Sequence, residues 1–301
     1  MSFASQVKTE LCAVRASACC SKAQCYGMLL FAKRFSVACI SLQTENIEVA
    51  DMFSRLCGEC FNVRTRITQG GVKRDTYLVS VISPYDRKKI MLSYGAVDGK
   101  RPDTINSDII KKECCKAAFI RGAFISCGGL SDPNKAYHAK FVIKDKFLAN
   151  DFYVILCKSG LTPKTYISKN SVHLYYKDSR LIEDLLTKIN ATKNTLAVMD
   201  MGIIKTVKNK LNRQENCMMA NLDKTVEASV KQRNAIKILR RKGILETLGE
   251  EMCDIAALRE EYPDSSLSEL CGYYSQPITK SALTRRLNKL VELAGETEGE
   301  K

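Results

Sequence analysis

Apolar and polar positions along the first part of the chain follow an order that is then repeated. The elements predicted for the first half are a helix at 21–35, a strand run at 35–42, a helix at 46–60, strands at 62–68 and 77–82, and a helix at 85–94. The first helix carries small residues at Ala23 and Gly27, and Gln69-Gly70-Gly71 supplies a turn between two strands. The pattern therefore predicts helices alternating with strand pairs.

The second half presents the same order. Its predicted elements are a helix at 111–127, a strand at 137–143, a helix at 146–159, strands at 165–168 and 172–176, and a helix at 181–189. Its first helix is again rich in small residues, at Ala117, Ala118, Gly122 and Ala123. We therefore expect two α+β halves related by a pseudo-twofold axis, with the two small-residue helices in close contact at that axis.

The remaining residues predict helices only. A polar, basic segment at 206–221 is predicted to be a linker, and a long helix follows it with Asp223 as N-cap and Arg240-Arg241-Lys242-Gly243 at its end. A second helix is expected at about 245–261. A short helix at 267–273, capped by Ser265 or Ser266, then precedes a connection at 275–277 and a last helix at roughly 279–291. This arrangement predicts a helix-turn-helix.

The last helix has one apolar and one basic side. Ile278, Ala282, Leu283, Leu287, Leu290 and Val291 follow helical spacing and are expected to face the core. Thr279 is the predicted N-cap. The predicted DNA-binding residues are Thr279, Lys280, Ser281, Thr284, Arg285, Arg286, Asn288 and Lys289.

The residue types on that side suit a DNA groove. In the major groove, Arg or Lys can bond guanine and Asn can bond adenine, while Arg286 is placed to hold a phosphate. The alternative is an ordinary amphipathic helix whose exposed side is basic.

The formal net charge of +14 is unevenly distributed along the chain. The excess of cations lies in residues 1–243, whereas acids outnumber bases in 244–301 apart from the last helix. A broad positive field favours polyanions, with solubility as the alternative reason for it. The apolar runs are too short to span a bilayer and the N-terminus has no apolar signal core, so we expect a cytoplasmic protein without membrane contact.

The chain contains 14 cysteines. Most, among them Cys12, Cys19, Cys20, Cys25, Cys39, Cys114, Cys115 and Cys127, stand where small apolar residues would pack. The single Cys-x-x-Cys, Cys57 to Cys60, has no second pair at zinc-site spacing, so it is read as the end of an amphipathic helix. No metal and no cofactor is expected.

Several short motifs resemble a known family in the order of their occurrence. They are Ser2-Phe3-Ala4-Ser5, Lys8-Thr9-Glu10-Leu11, Arg121-Gly122-Ala123-Phe124, Asn221-Leu222-Asp223-Lys224-Thr225-Val226, Leu258-Arg259-Glu260-Glu261-Tyr262-Pro263-Asp264, Ile278-Thr279-Lys280-Ser281 and Arg286-Leu287-Asn288-Lys289-Leu290. The halves resemble the αββαββα repeats of LAGLIDADG homing endonucleases. The whole chain resembles the WhiA family of bacterial sporulation-control transcription factors.

The resemblance implies the domain organisation. A LAGLIDADG-like α+β domain is expected at 1–205, with pseudo-repeats at about 1–105 and 106–205. The linker at 206–221 and an all-α helix-turn-helix domain at 222–301 would complete the chain.

The resemblance also allows the nuclease function to be judged. Active members of the endonuclease family place one acid at the end of each central helix, where it holds a divalent metal. At the matching positions this sequence has Ala32 and Cys127. We therefore expect no enzyme activity.

Cations on the predicted sheets suggest backbone contacts with DNA. They are Arg64, Arg66, Lys73, Arg74, Lys140 and Lys144. Arg64 and Arg66 lie two residues apart, so a strand would point both to one face. A merely solvated face is the equally weighted alternative.

The function expected from the sequence is a sequence-specific transcriptional regulator that binds double-stranded DNA and associates with the nucleoid. A role in cell division or sporulation control, and contacts with RNA polymerase or cell-division proteins, are implied by the resemblance alone. The alternatives are a nucleoid- or divisome-associated interaction protein that uses DNA for localisation and, below it, an active metal-dependent endonuclease.

Overall fold

A computed structural model describes residues 2–70, 76–96 and 99–298. It separates the chain into two compact units, Met1–Lys205 and Thr206–Lys301. In the described part of the chain, no helix is both long and apolar enough to span a membrane. The two units are described in turn.

The N-terminal unit contains the predicted duplication after one additional helix, α1 (Phe3–Cys12). The first repeat comprises α2 (Ala18–Leu30), β1 (Arg34–Phe35), β2 (Ile40–Thr44), α3 (Ile47–Phe61), β3 (Thr65–Gln69), β4 (Tyr77–Val81) and α4 (Pro84–Ser93). The second comprises α5 (Glu113–Cys127), β5 (Gly128–Leu130), β6 (Ala139–Ile143), α6 (Lys146–Lys158), β7 (Lys164–Ser168), β8 (Ser171–Tyr176) and α7 (Ser179–Lys188). Both repeats are αββαββα, which confirms the predicted fold class.

Each repeat contributes one antiparallel sheet of four strands, and the two sheets have matching topology. The orders are β1-β2-β4-β3 and β5-β6-β8-β7. One face of each sheet is buried, since Leu42, Val79, Phe141 and Leu174 lie in a common apolar core with the helices. The opposite face of each sheet is therefore left for solvent or a partner.

Helices α2 and α5 pack directly against each other, as the small residues predict. A Cβ added to Gly27 would collide with the carbonyl oxygen of Phe119, and one added to Gly122 would collide with that of Gln24. The backbones approach this closely because neither position carries a side chain. The glycines occupy corresponding places in the two repeats, so they mark the pseudo-twofold axis.

The first predicted helix and strand of the first repeat need correction, and the second repeat has one additional strand. Helix α2 ends at Leu30, not at Phe35, and the single strand run expected at 35–42 is two strands, β1 and β2. Strand β5 at Gly128–Leu130 lies where the sequence predicts neither a helix nor a strand. Both missed strands are only two or three residues long, too short to produce an alternating pattern.

A 50-residue helix, α8 (Thr192–Arg241), follows α7. Residues 206–221, expected to be a linker, are helical within it, and the predicted N-cap at Asp223 is wrong because that residue lies inside the helix. The first turn of α8 is capped from elsewhere in the chain. The Glu10 carboxylate on α1 accepts hydrogen bonds from the backbone amides of Lys193 (2.7 Å) and Asn194 (3.1 Å).

Up to residue 298, where the description ends, the C-terminal unit adds only helices after α8. A 3₁₀ turn (Leu245–Thr247) precedes α9 (Glu250–Glu261), α10 (Leu267–Tyr273) and α11 (Lys280–Glu298). The helix predicted at 245–261 is interrupted because Gly249 adopts a left-handed conformation with φ of 88°. A small apolar core built on Leu239, Ile255 and Leu270 holds the helices together, with Leu283, Leu287 and Leu290 from α11.

Candidate nucleic-acid interface

The turn that leads into α10 is fixed by local caps. Ser266 accepts a hydrogen bond from the amide of Glu269, and the Glu269 carboxylate accepts one from the amide of Ser266 at 2.7 Å. This reciprocal pair is a capping box, and it confirms Ser266 rather than Ser265 as the cap. Helix α10 therefore begins at Leu267, as predicted.

A buried arginine also stabilises this turn, through hydrogen bonds to its backbone carbonyl oxygens. Arg259 on α9 is 1% exposed and donates to the Gln232 side-chain oxygen (2.8 Å) and to the carbonyl oxygens of Ser265 (2.7 Å) and Tyr262 (3.4 Å). Burial lowers the pKa of Arg259, with a further contribution from the charge of Arg233. The guanidinium is satisfied by neutral oxygens, which fixes the position of α10 relative to α8 and α9.

Helix α11 begins where the cap residue predicts. The Thr279 hydroxyl accepts a hydrogen bond from the amide of Ala282 at 3.3 Å. Leu283, Leu287 and Leu290 are fully buried, whereas Ile278, Ala282 and Val291 are half-buried at the edge of the core. The helix runs on to Glu298, beyond the predicted end at Val291.

The opposite side of α11 is open to solvent. Its exposed members are Thr279, Lys280, Ser281, Arg285, Asn288 and Lys289. Thr284 is half-buried, and its hydroxyl donates to the Lys280 carbonyl oxygen at 2.7 Å. A shallow groove of about 920 Å³ follows this side of the helix. Apart from Arg286, the predicted residues from Lys280 to Lys289 thus share one accessible face.

Arg286 differs from the other predicted contact residues. Its guanidinium forms an ion pair with Glu251 at the start of α9. It is half-buried, and the ion pair ties α11 to α9 within the unit. Its charge is already offset, so a phosphate would have to compete with Glu251 for it.

The sheet faces opposite the apolar core present matching rows of residues, which are exposed at Arg34, Arg66 and Lys164 but buried at Ser41. Strand register places Arg34, Ser41, Ser80 and Arg66 side by side across the first sheet. It places Gly129, Lys140, Tyr175 and Lys164 side by side across the second. Cross-strand partners point to the same face, so each row is a strip of cations and small or aromatic residues without an acid.

The second sheet adds aromatic rings to its cations. Tyr166 and His173 stack with ring centroids 4.5 Å apart, and the Lys177 ammonium lies 5.6 Å from the centroid of the Tyr175 ring. Burial lowers the pKa of His173 and the nearby Lys140 lowers it further, so the ring is neutral near pH 7. A signal for this surface is visible in the sequence, since His173 and Tyr175 alternate on one predicted strand and Tyr166 lies on the strand before it.

The cations predicted to contact the DNA backbone do not all lie on the same surface. Arg66 and Lys140 lie in the rows just described, and Arg64, immediately before β3, is exposed. Lys144, just after β6, lines a cleft at the ends of α2 and α5. Lys73 and Arg74 fall outside the described residues.

That cleft, of about 760 Å³, includes the positions where homing endonucleases hold metal. Ala32 has no donor atom, and burial raises the pKa of the Cys127 thiol to about 12. Arg101 donates to the Ala32 carbonyl oxygen. The charged residues lining the cleft in the described part of the chain are Lys8, Lys33, Arg101, Lys144 and the single acid Glu45. This donor set does not fit a divalent metal bound between paired carboxylates.

The folds and surfaces define a class of protein: a LAGLIDADG-like domain that lacks the paired acids, joined to a helix-turn-helix domain. Two family models match, the WhiA LAGLIDADG-like domain over residues 116–208 and the WhiA C-terminal HTH domain over 211–294. The chain belongs to the WhiA family.

Relatives of this chain match along its full length. "Probable cell division protein WhiA" of Clostridium botulinum is 32% identical over 98% of both chains. The protein of the same name from Lachnoclostridium phytofermentans is 33% identical, again over 98% of both. Among solved structures, full-length WhiA from Thermotoga maritima matches with a TM-score of 0.62 and 19% identity, covering 98% of this chain and 99% of that one.

Proposed function

We propose that this chain is a sequence-specific DNA-binding regulator whose α11 reads bases in the major groove. The observation that supports this most is the open face of α11, which presents Lys280, Arg285 and Asn288 from a helix held at its start by the Thr279 cap and the α10 turn. In a major groove, Lys and Arg can donate hydrogen bonds to guanine, and Asn can both donate to adenine and accept from it. The remaining predicted residues, Ser281, Thr284 and Lys289, lie on the same face.

Within this proposal the two units have different tasks. Helix α11 supplies base contacts, and the strips containing Arg66 and Lys140 supply contacts with the phosphate backbone. Arg286 serves mainly as a structural tie to Glu251 rather than as the phosphate clamp expected from the sequence. Relatives named as cell division proteins support the proposal that the regulated process is cell division, and DNA binding would bring the protein to the nucleoid.

The test is a comparison of two equally charged changes. Lys280→Ala with Arg285→Ala removes two cations from the proposed reading face, and Lys231→Ala with Lys237→Ala removes two exposed cations from α8. Sites selected from random DNA by the wild type are then compared by competition binding. We expect the α11 variant to lose about 10-fold or more of its preference for the selected site, since each base contact contributes roughly 1–3 kcal/mol. The α8 variant should keep it.

A different result would favour the alternative class. If the α11 variant keeps full sequence preference, the base-reading proposal is wrong. If it loses DNA binding but still supports normal division in cells, the biological role lies in partner binding, and DNA serves localisation only.

We also propose that the chain is not a nuclease, because the cleft has Ala32 and Cys127 in place of the two acids. Incubation with supercoiled plasmid and Mg²⁺ or Mn²⁺ should give no nicked product. Nicking that co-purifies with the chain and is lost on changing residues of the cleft would refute this.

A further inference from the structure

Four cysteines converge at the N-terminal ends of the two central helices. Cys19 and Cys20 occupy the second and third positions of α2, and Cys114 and Cys115 occupy the second and third positions of α5. The pseudo-twofold axis brings these two vicinal pairs together, because the helices cross at Gly27 and Gly122. One pair alone would supply only two of the four ligands of a tetrahedral metal site, whereas the two pairs together supply all four.

The four sulfur atoms have the spacing of a single-ion site. All of them lie within 4.8 Å of one another. A tetrahedral zinc ion with sulfurs at about 2.3 Å requires neighbouring sulfurs about 3.8 Å apart. No pair of sulfurs has to approach by more than about 1 Å, which is within the reach of side-chain rotation. Cys19 and Cys114 are exposed, so an ion can enter from solvent, while Cys20 and Cys115 are buried beneath them.

Several groups around the cluster favour the negative charge of such a site and oppose the effect of burial, which raises the pKa of Cys20 and Cys115. Both helices direct their N-termini at the cluster, where free amides and the helix dipoles stabilise anions. Ser17, the residue before α2, places its hydroxyl oxygen 3.3 Å from the Cys19 sulfur. Lys112 acts electrostatically on Cys19, and the buried Arg121 guanidinium acts on Cys20. A Zn²⁺ ion with four thiolates carries a net charge of −2, which these groups offset.

We propose that Cys19, Cys20, Cys114 and Cys115 bind one Zn²⁺ ion in a tetrahedral four-thiolate site. Thiolate is the ligand type that selects zinc over the hard cations Mg²⁺ and Ca²⁺. With all four positions filled by protein, no position remains for a water molecule, so the site is structural. It lies at the opposite end of the helix pair from Ala32 and Cys127 and is unrelated to the nuclease metal positions.

The site would join the two repeats covalently through the metal. Its ligands come in two pairs that are far apart in sequence, so the bound ion restricts the unfolded chain much as a cross-link does. The expectation from the sequence was that these cysteines pack as small apolar residues and that no metal binds. Cys-x-x-Cys spacing does not reveal the adjacent pairs that the duplication brings together.

The test uses the full chain purified under reducing conditions without added metal. Elemental analysis should find one zinc per chain. Replacement with Co²⁺ should give the intense thiolate-to-cobalt absorption in the near ultraviolet and the visible bands of tetrahedral cobalt, both of which zinc abolishes. Cys19→Ser with Cys114→Ser, which changes one exposed ligand in each pair, should lose both signals.

A matched variant removes two thiols elsewhere, Cys39→Ser with Cys217→Ser, and should keep full zinc content and the cobalt spectrum. If the double ligand variant fails to fold, the cobalt spectrum of the wild type still decides. Zinc far below one equivalent, together with no cobalt–thiolate bands while all four thiols titrate as reduced, would overturn the proposal. So would a disulfide among these cysteines in protein isolated without oxidant, since that form has no free ligands.

Discussion

At the scale of single residues, two buried arginines link helices through neutral partners. Arg259 donates to Gln232 and to two backbone carbonyls, and Arg121 donates to the Gln24 side-chain oxygen at 2.9 Å and to the carbonyl of Ile189. None of these hydrogen-bond acceptors is a carboxylate. Each guanidinium therefore acts through the fixed directions of its donors, which orient the chain segments around it.

Removing the Arg259 guanidinium should destabilise the helix-turn-helix. Arg259→Met keeps the volume but leaves several acceptors unsatisfied, each costing about 1–3 kcal/mol, so we expect a loss of about 3 kcal/mol in the unfolding free energy of the C-terminal unit. Urea denaturation followed by circular dichroism measures it. Arg285→Met on the exposed face is the control and should change stability by less than about 0.5 kcal/mol. Equal midpoints for the two variants would show that Arg259 is not an organising residue.

At the scale of elements, the crossing of α2 and α5 is the most constrained contact in the N-terminal unit. Both helices are apolar around much of their circumference, and the glycines set how near they come. Close approach then gives Tyr26 and Phe119 a tight aromatic contact with ring centroids 5.5 Å apart. The packing depends on backbone shape more than on any one side chain.

Alanine at either crossing glycine should therefore be harmful. Gly27→Ala and Gly122→Ala each place a methyl group against a backbone carbonyl that cannot rotate away, and we expect losses of about 3 kcal/mol or failure to fold. Gly58→Ala, at an exposed position in the last turn of α3 with nothing within 4 Å, should instead stabilise by about 0.5–1 kcal/mol. Thermal melting of the three variants makes the comparison. Similar melting temperatures for all of them would contradict the packing described.

Elements with a clear apolar period were predictable from the sequence, and those without one were not. Helices α3, α6, α10 and α11 lie within a residue or two of the predicted starts, because their buried faces repeat at helical spacing. Residues 206–221 of α8 are almost entirely exposed, so they offered no buried face from which a helix could be recognised.

The candidate DNA-reading face was predictable for a similar reason, since its basic side chains alternate regularly with buried leucines on one helix. The sheet strips and the four-cysteine cluster were harder to see because they are assembled from separate strands and helices. Arg34 joins Arg66 only through strand register, and Cys19 meets Cys115 only through the pseudo-twofold axis.

At the scale of the whole molecule, cations are spread over surfaces in both units. The net charge is +14, yet the strips of the sheets and the face of α11 belong to different folding units. Affinity and sequence preference can then respond differently to salt, because phosphate contacts are sensitive to ionic strength and carry no sequence information.

The sheet strips should contribute salt-dependent affinity alone. Arg66→Ala with Lys140→Ala should lower the slope of log affinity against log salt by up to roughly 0.9 for each lost phosphate contact, with the preferred DNA site unchanged. Lys146→Ala with Lys158→Ala removes the same charge from α6, which packs on the buried face of the sheet, and should leave the slope nearly intact. Fluorescence anisotropy across a range of salt concentrations measures both. Equal salt slopes in the two variants would show that the sheets do not contact the DNA phosphates.

The capping of α8 by Glu10 has a consequence for synthesis of the chain on the ribosome. The Glu10 carboxylate is synthesised before either repeat, whereas its partners, the amides of Lys193 and Asn194, are 183 and 184 residues further along. Helix α1 therefore lacks its final partner, the first turn of α8, until both repeats have emerged from the ribosome. The N-terminal unit can complete its folding only after nearly all of its sequence has left the exit tunnel, so its earliest residues are among the last to reach their final environment.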